Sequence, residues 1–189
     1  MENAVQEIPK SLIYEMVNGQ PVYYKGYQDY LSGSKQIDEI MGSSKIQALI
    51  VAELIFLLKT FLGDDYLIFT NEVGLQFSKK SWRAADIAVV KADLVEKLDD
   101  KYLEVPPELV IEIDTKAALH DIENPLGYYQ EKTEELLQFG VKKVVWIFSD
   151  TEKVMVAEQA NRAWHIYDWA DPISIEEGLV LDMGRLLRR

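Results

Sequence analysis

The 189-residue chain has no cysteine and only two histidines, His120 and His165. The first absence excludes disulfides and thiolate metal sites, and the second leaves too few imidazoles for a multi-histidine zinc centre. Any metal here would be oxygen-ligated: magnesium, manganese or calcium. No apolar run reaches the roughly 18 residues of a membrane-spanning helix, and the opening MENAVQEIPK has no basic-then-apolar leader. A cytoplasmic protein with no membrane partner is expected. Basic residues are scarce as well, 20 Lys and Arg against 32 Asp and Glu, for a net charge of −12. Nonspecific duplex affinity comes mainly from lysine and arginine at phosphates, so a protein that coats bulk nucleic acid is disfavoured, while a local basic groove is not. A Gly-x-Ser-x-Gly elbow and a P-loop are also missing, which leaves other hydrolase classes poorly supported.

What is present suits one globular domain over residues 1–189: 48% hydrophobic and 28% charged residues, on a chain long enough for a core without staples. YEMVNGQPVYY, residues 14–24, places two aromatic and β-branched runs around Asn18-Gly19 and predicts a β-hairpin. A helix follows from about 44 to 62, with Ser43 or Ser44 as cap and Gly63 as stop. Residues 66–91 predict strands broken near Asn71 and Gly74 and at Ser78 to Lys80. A second helix begins near Asn124, with Pro125 in its first turn and Gly140 at its end. VKKVVWIF, EKVMVAEQ and RAWHIYDW then predict three strands. The order ββ-α-βββ-α-βββ indicates an α/β fold with a mixed sheet and flanking helices.

Several polar residues stand where apolar ones are expected. In ELVIEIDTK, residues 108–116, strand alternation puts Glu112 and Asp114 on one face of an otherwise buried strand. Burying an unpaired carboxylate costs on the order of several kcal/mol, so a cation or a proton is needed there. On the first long helix, Glu53 falls near 340° from Ile46, inside the apolar arc. It is either a buried acid satisfied locally or part of a site. On the second helix, Lys132 lies among Tyr128, Tyr129, Leu136 and Phe139, and either snorkels to solvent or reaches a carboxylate cluster. In SWRAADIAVV, Asp86 shares a face with Ala88 and Val90; alone it would be a turn or cap residue. Together these are the ingredients of a metal-assisted phosphodiester site, with acids to hold a cation and a lysine to face negative charge.

In this order the residues resemble the PD-(D/E)xK nuclease superfamily, and more closely its Uma2 branch, also called DUF820, over roughly residues 14–150. The matching segments are Glu15 to Gly19, RAAD at 83–86, PPELVIEIDT at 106–115, and Lys132 eight residues before Gly140-Val141 and its VVWI strand. The resemblance implies a restriction-endonuclease-like fold, with Asp86, Glu112 and Asp114 at a Mg²⁺ or Mn²⁺ ion. It also implies that Lys132 is a displaced catalytic lysine and Glu53 an assisting helical acid. Four positions depart from the pattern: Ala85 replaces a proline, Leu136 a tyrosine, Thr115 a serine, and Lys116 a proline. Ser44 or a neighbour stands where many relatives have histidine. Lys116, four residues after Glu112, is a rival for the lysine role.

The function expected from this resemblance is a divalent-metal-dependent nuclease hydrolysing phosphodiester bonds of nucleic acid by metal-activated water. The alternative is a non-catalytic interaction protein that keeps the fold, which the net charge favours. The terminal RLLRR is either a phosphate contact or a solvated tail. The aromatic strands carrying Trp146, Trp164 and Trp169 either pack in the core or form a homodimer surface.

Overall fold

A computed structural model of the chain describes residues 8–122, 124–161 and 163–187. The expected hairpin forms from β1 (Ile13–Val17) and β2 (Gln20–Tyr23), with Asn18 and Gly19 both at positive φ in the turn. Two short helices follow, α1 (Tyr27–Leu31) and α2 (Ile37–Met41), which were not expected. Five residues are little more than one turn, too short for a periodic signal. Helix α3 (Lys45–Leu62) starts where Ser44 accepts a hydrogen bond from the Gln47 amide, and stops at Gly63.

Strands β3 (Tyr66–Ser78) and β4 (Ser81–Lys91) make one long antiparallel hairpin rather than several short pieces. Its interior break is a bulge at Asn71-Glu72. Next come β5 (Leu109–Ile113), α4 (Pro125–Phe139), β6 (Lys143–Phe148), β7 (Lys153–Glu158) and β8 (Trp164–Asp168). The Asn124 side chain caps α4, and Gly140 in the left-handed region ends it. A small hairpin, β9 (Ile173–Glu176) and β10 (Leu179–Leu181), and α5 (Met183–Leu186) complete the described chain. Arg188, Arg189 and the first seven residues lie outside the described residues.

The main sheet has the order β2-β1-β4-β5-β6-β7-β8, with β3 also paired to β4. Only β5 and β6 run parallel, joined through α4; the other neighbours are antiparallel, which makes the sheet mixed. On one face Ile50, Leu54 and Leu58 of α3 pack against Ile87, Ile111 and Ile113. On the other, Tyr128 and Leu136 of α4 pack against Val110, Val144 and Trp146. A fully buried aliphatic side chain contributes about 1.5 to 3 kcal/mol, which explains why β5, covered on both faces, is apolar nearly throughout. Its even-numbered residues face α4. Glu112 is the exception in that row. Among the described residues no helix is long and apolar enough to cross a membrane.

Candidate active site

The β4 and β5 ladder pairs Val89 with Leu109, Ala88 with Val110 and Ile87 with Ile111, and goes no further. Beyond that point the Ile113 amide donates to Asp86 Oδ2 at 2.8 Å, so a side chain takes the place of a ladder carbonyl. The two strands fork around this carboxylate. Glu112 lies in the same fork, fully buried, and is held in register by Trp146 of the parallel neighbour β6. Lys132 enters from α4, also fully buried, with Nζ 3.1 Å from Glu112 Oε1. Of the two readings open for this lysine, the structure shows the second: it reaches a carboxylate and does not snorkel.

Lys132 has a second and closer partner, Glu15 Oε1 at 2.7 Å. Glu15 is wholly buried on β1 and gathers donors: Arg83 Nη1 at 2.9 Å, the Tyr128 hydroxyl at 2.9 Å and the Ala84 amide at 3.3 Å. Arg83 in turn donates through Nε to Glu135 Oε2 at 2.7 Å, which carries the network out to the α4 surface. In the sequence Glu15 figures only in the segment Glu15 to Gly19, and Arg83 only as the first letter of RAAD. An arginine in an apolar strand and an acid in an aromatic one are signals, but their partners lie 68 residues apart.

Burial alone would raise Glu15, yet Lys132 and Arg83 overcome it and hold the carboxyl below its usual range. Burial pushes Glu112 up to about 8; Lys132 opposes the shift, while Asp86 and Glu15 reinforce it. Burial also raises Asp86, against the Ile113 amide and Lys132. For Lys132, burial would lower the value, but Glu112 and Glu15 raise it. The Lys132 ammonium thus lies between the two acids, nearer to Glu15. Glu112 shares this one cation with Glu15.

Asp114 does not join this group. Its φ of 56° ends the strand alternation, and its carboxylate accepts from the Ser149 amide at 2.8 Å and the Ser149 hydroxyl at 2.7 Å. It ties the end of β5 to the end of β6. Nor is Glu53 brought in. Half-buried on α3, it lies across the sheet from Glu112. The buried ridge of α3 runs through Gln47, Ile50, Leu54 and Leu58, centred about 100° away from Glu53. Lys116 pairs with Glu72, 15% and 19% exposed respectively, and Glu72 also accepts from the Tyr24 hydroxyl at 2.5 Å.

Asp86 and Glu112 suit a hard divalent ion by donor type; Glu112 Oε2 is buried with no hydrogen-bond partner, and Oε1 has only the Lys132 ammonium at 3.1 Å. An acid left in that state calls for a cation or a proton. Among the described residues no three acids or histidines are spaced to enclose an ion, so the expected triad of Asp86, Glu112 and Asp114 is not assembled.

A mixed sheet between helices, forked at an aspartate and a glutamate that face a helical lysine, defines an α/β domain of nuclease fold. A family model described as "Putative restriction endonuclease", Uma2, matches residues 30–184. The chain belongs to the Uma2 family. The match extends past residue 150, where the resemblance in the sequence stops, and begins after Glu15. A crystal structure described as a "putative nuclease belonging to DUF820 from Anabaena variabilis" has the same fold, with a TM-score of 0.66 and 14% identity over 91% of this chain and 88% of that one. No curated protein matches.

Proposed function

We propose that the protein is a divalent-metal-dependent nuclease, acting on phosphodiester bonds of nucleic acid. The observation that carries this reading is the forked pair Asp86 and Glu112, whose buried glutamate has one oxygen without a partner and the other only on a lysine that it shares with Glu15. Asp86 and Glu112 would hold Mg²⁺ or Mn²⁺. When bound, such an ion supplies positive charge toward the phosphate and makes water a better nucleophile. Lys132 is kept protonated by Glu15 and Glu112 and adds fixed positive charge where the scissile phosphate would develop negative charge. Glu15 and Arg83 are positioning residues that act through Lys132. Asp114 supports the loop behind the fork.

A specific observation favours the second reading, a non-catalytic interaction protein. Glu112 and Lys132 are fully buried and Asp86 is 8% exposed, so the fork is closed as it stands. Turnover requires it to open. The discriminating experiment is cleavage of single-stranded, duplex and branched substrates with Mg²⁺ or Mn²⁺ and with chelator, by wild type and Glu112→Ala. Metal-dependent cutting that Glu112→Ala abolishes supports the nuclease. Metal binding without cleavage of any substrate supports the second reading.

A further inference from the structure

Gly74 stands inside β3, and the Tyr102 ring occupies the space that a Cβ there would need. A glycine within a strand marks the close approach of another group. Tyr102 belongs to the connection between β4 and β5, yet its place is fixed. The next residue, Leu103, bridges in parallel to Leu75: its amide donates to the Gly74 carbonyl at 2.9 Å, and its carbonyl accepts from the Gln76 amide at 2.8 Å. On β4 the Trp82 ring meets the Tyr102 ring, with centroids 5.1 Å apart and planes at 57°. The two rings form a shelf, and Tyr102 keeps 43% of its surface exposed.

The shelf lines a cleft of about 410 Å³, and Tyr14 and Tyr24 line it too, with Lys10, Ser11 and Glu72 among its polar groups. That volume lies within the roughly 300 to 1,000 Å³ of small-molecule sites. The cleft adjoins the fork. The Lys132 ammonium sits 5.6 Å from the centroid of the Tyr14 ring, and Ala84, another lining residue, donates its amide to Glu15 at 3.3 Å. The one acid of the cleft named here, Glu72, is met by the Lys116 ammonium and the Tyr24 hydroxyl. With a net charge of −12 the chain has little general hold on phosphates, whereas stacking on aromatic rings gives affinity that needs no net positive charge. Bases inside a duplex are paired and stacked on one another; unpaired ones can turn out onto such a surface.

Resting on the reading of the fork as a nuclease site, we propose that this cleft seats an unpaired nucleobase of the substrate, stacked on Trp82 and Tyr102 beside the phosphate at the fork. The substrate class is then single-stranded nucleic acid, or an unpaired stretch within a folded one. Because the two rings touch, the base lies on the shelf they make and not between them. The polar groups of the cleft face the edge of the base and its backbone. Trp82 and Tyr102 are binding residues, and Gly74 is a positioning residue that acts through Tyr102.

The test is fluorescence anisotropy with three fluorescein-labelled probes, in chelator so that none is cut: an oligothymidylate, an abasic strand of the same length, and a duplex. Each is titrated with wild type, Trp82→Ala, Trp82→Phe and Tyr102→Ala, all checked for folding by circular dichroism. Wild type should hold the oligothymidylate several times more tightly than either other probe. Trp82→Ala and Tyr102→Ala should each lose roughly five- to a hundredfold on it, with Trp82→Phe keeping most of the affinity and the abasic strand unaffected. Equal wild-type affinity for the oligothymidylate and the abasic strand, tightest binding to the duplex, or binding of no probe overturns the proposal. So does wild-type affinity in both alanine variants. Metal-dependent cutting by wild type is measured separately, so the nuclease reading stands if cutting persists where base binding fails; base binding without cutting keeps the cleft and removes the nuclease. Should Trp82→Ala misfold, Tyr102→Ala decides alone.

Discussion

The Lys132 ammonium lies 3.1 Å from Glu112 Oε1, and neither side chain has any exposed surface. The pair is neither an ordinary salt bridge nor a finished catalytic site, because the same ammonium is closer to Glu15. Its removal would leave Glu112 buried without a cation and Glu15 with Arg83 alone. Lys132→Met should therefore destabilise the metal-free protein by about 3 to 5 kcal/mol in urea unfolding. Adding Glu112→Gln should recover part of the loss, since Glu15 keeps Arg83. A loss under about 1 kcal/mol in the single variant would show that the lysine is not needed to neutralise the core.

Stability of the metal-free protein should fall with rising pH because of Glu112. Its carboxyl takes a proton at about 8 when folded, against 4.5 for an unperturbed glutamate. Between those values the folded chain holds a proton that the unfolded chain has lost. The stabilisation is complete below 4.5 and is lost as pH climbs to about 8, by at most roughly 1.4 kcal/mol per pH unit for one proton. Glu112→Gln should flatten the profile over that window in denaturant titrations. Parallel profiles for the two proteins would assign the dependence to other groups.

Asp114 and Asp86 should separate in function. Asp114→Asn weakens two charge-assisted hydrogen bonds to Ser149, with an expected loss of about 1 kcal/mol and Mn²⁺ affinity near that of wild type. Asp86→Asn should abolish binding. A large affinity loss in Asp114→Asn would return it to the ligand set.

Mn²⁺ should raise the melting temperature of wild type by mass action, about 2.7 kcal/mol at a hundred times Kd. Glu112→Ala should show no such shift. Equal shifts in both would point to binding elsewhere on an acidic surface.

The elements legible in the sequence are those with local punctuation. Asn18-Gly19 marks the hairpin, Ser44 and Gly63 bound α3, and Asn124, Pro125 and Gly140 bound α4. The short helices α1 and α2 carry too few residues to show a period. Lys132 could be placed because α4 has one narrow apolar face. Glu53 could not, because α3 is apolar almost all round, and only packing decides that its buried ridge runs through Ile50, Leu54 and Leu58. Alternation held for Glu112 and failed one residue past the strand end, at a backbone angle that no period-two pattern reveals. Glu15 and Arg83 became visible only when β1, β4 and α4 came together.

The central claim is that Asp86 and Glu112 hold one divalent ion in the fork between β4 and β5. Anomalous diffraction from crystals grown with Mn²⁺ tests it most directly. The account predicts a single strong peak bonded to both carboxylates at about 2.0 to 2.6 Å, with Lys132 still on Glu15. A fork with no peak, its Glu112 still against Lys132, in crystals that hold Mn²⁺ elsewhere would contradict it.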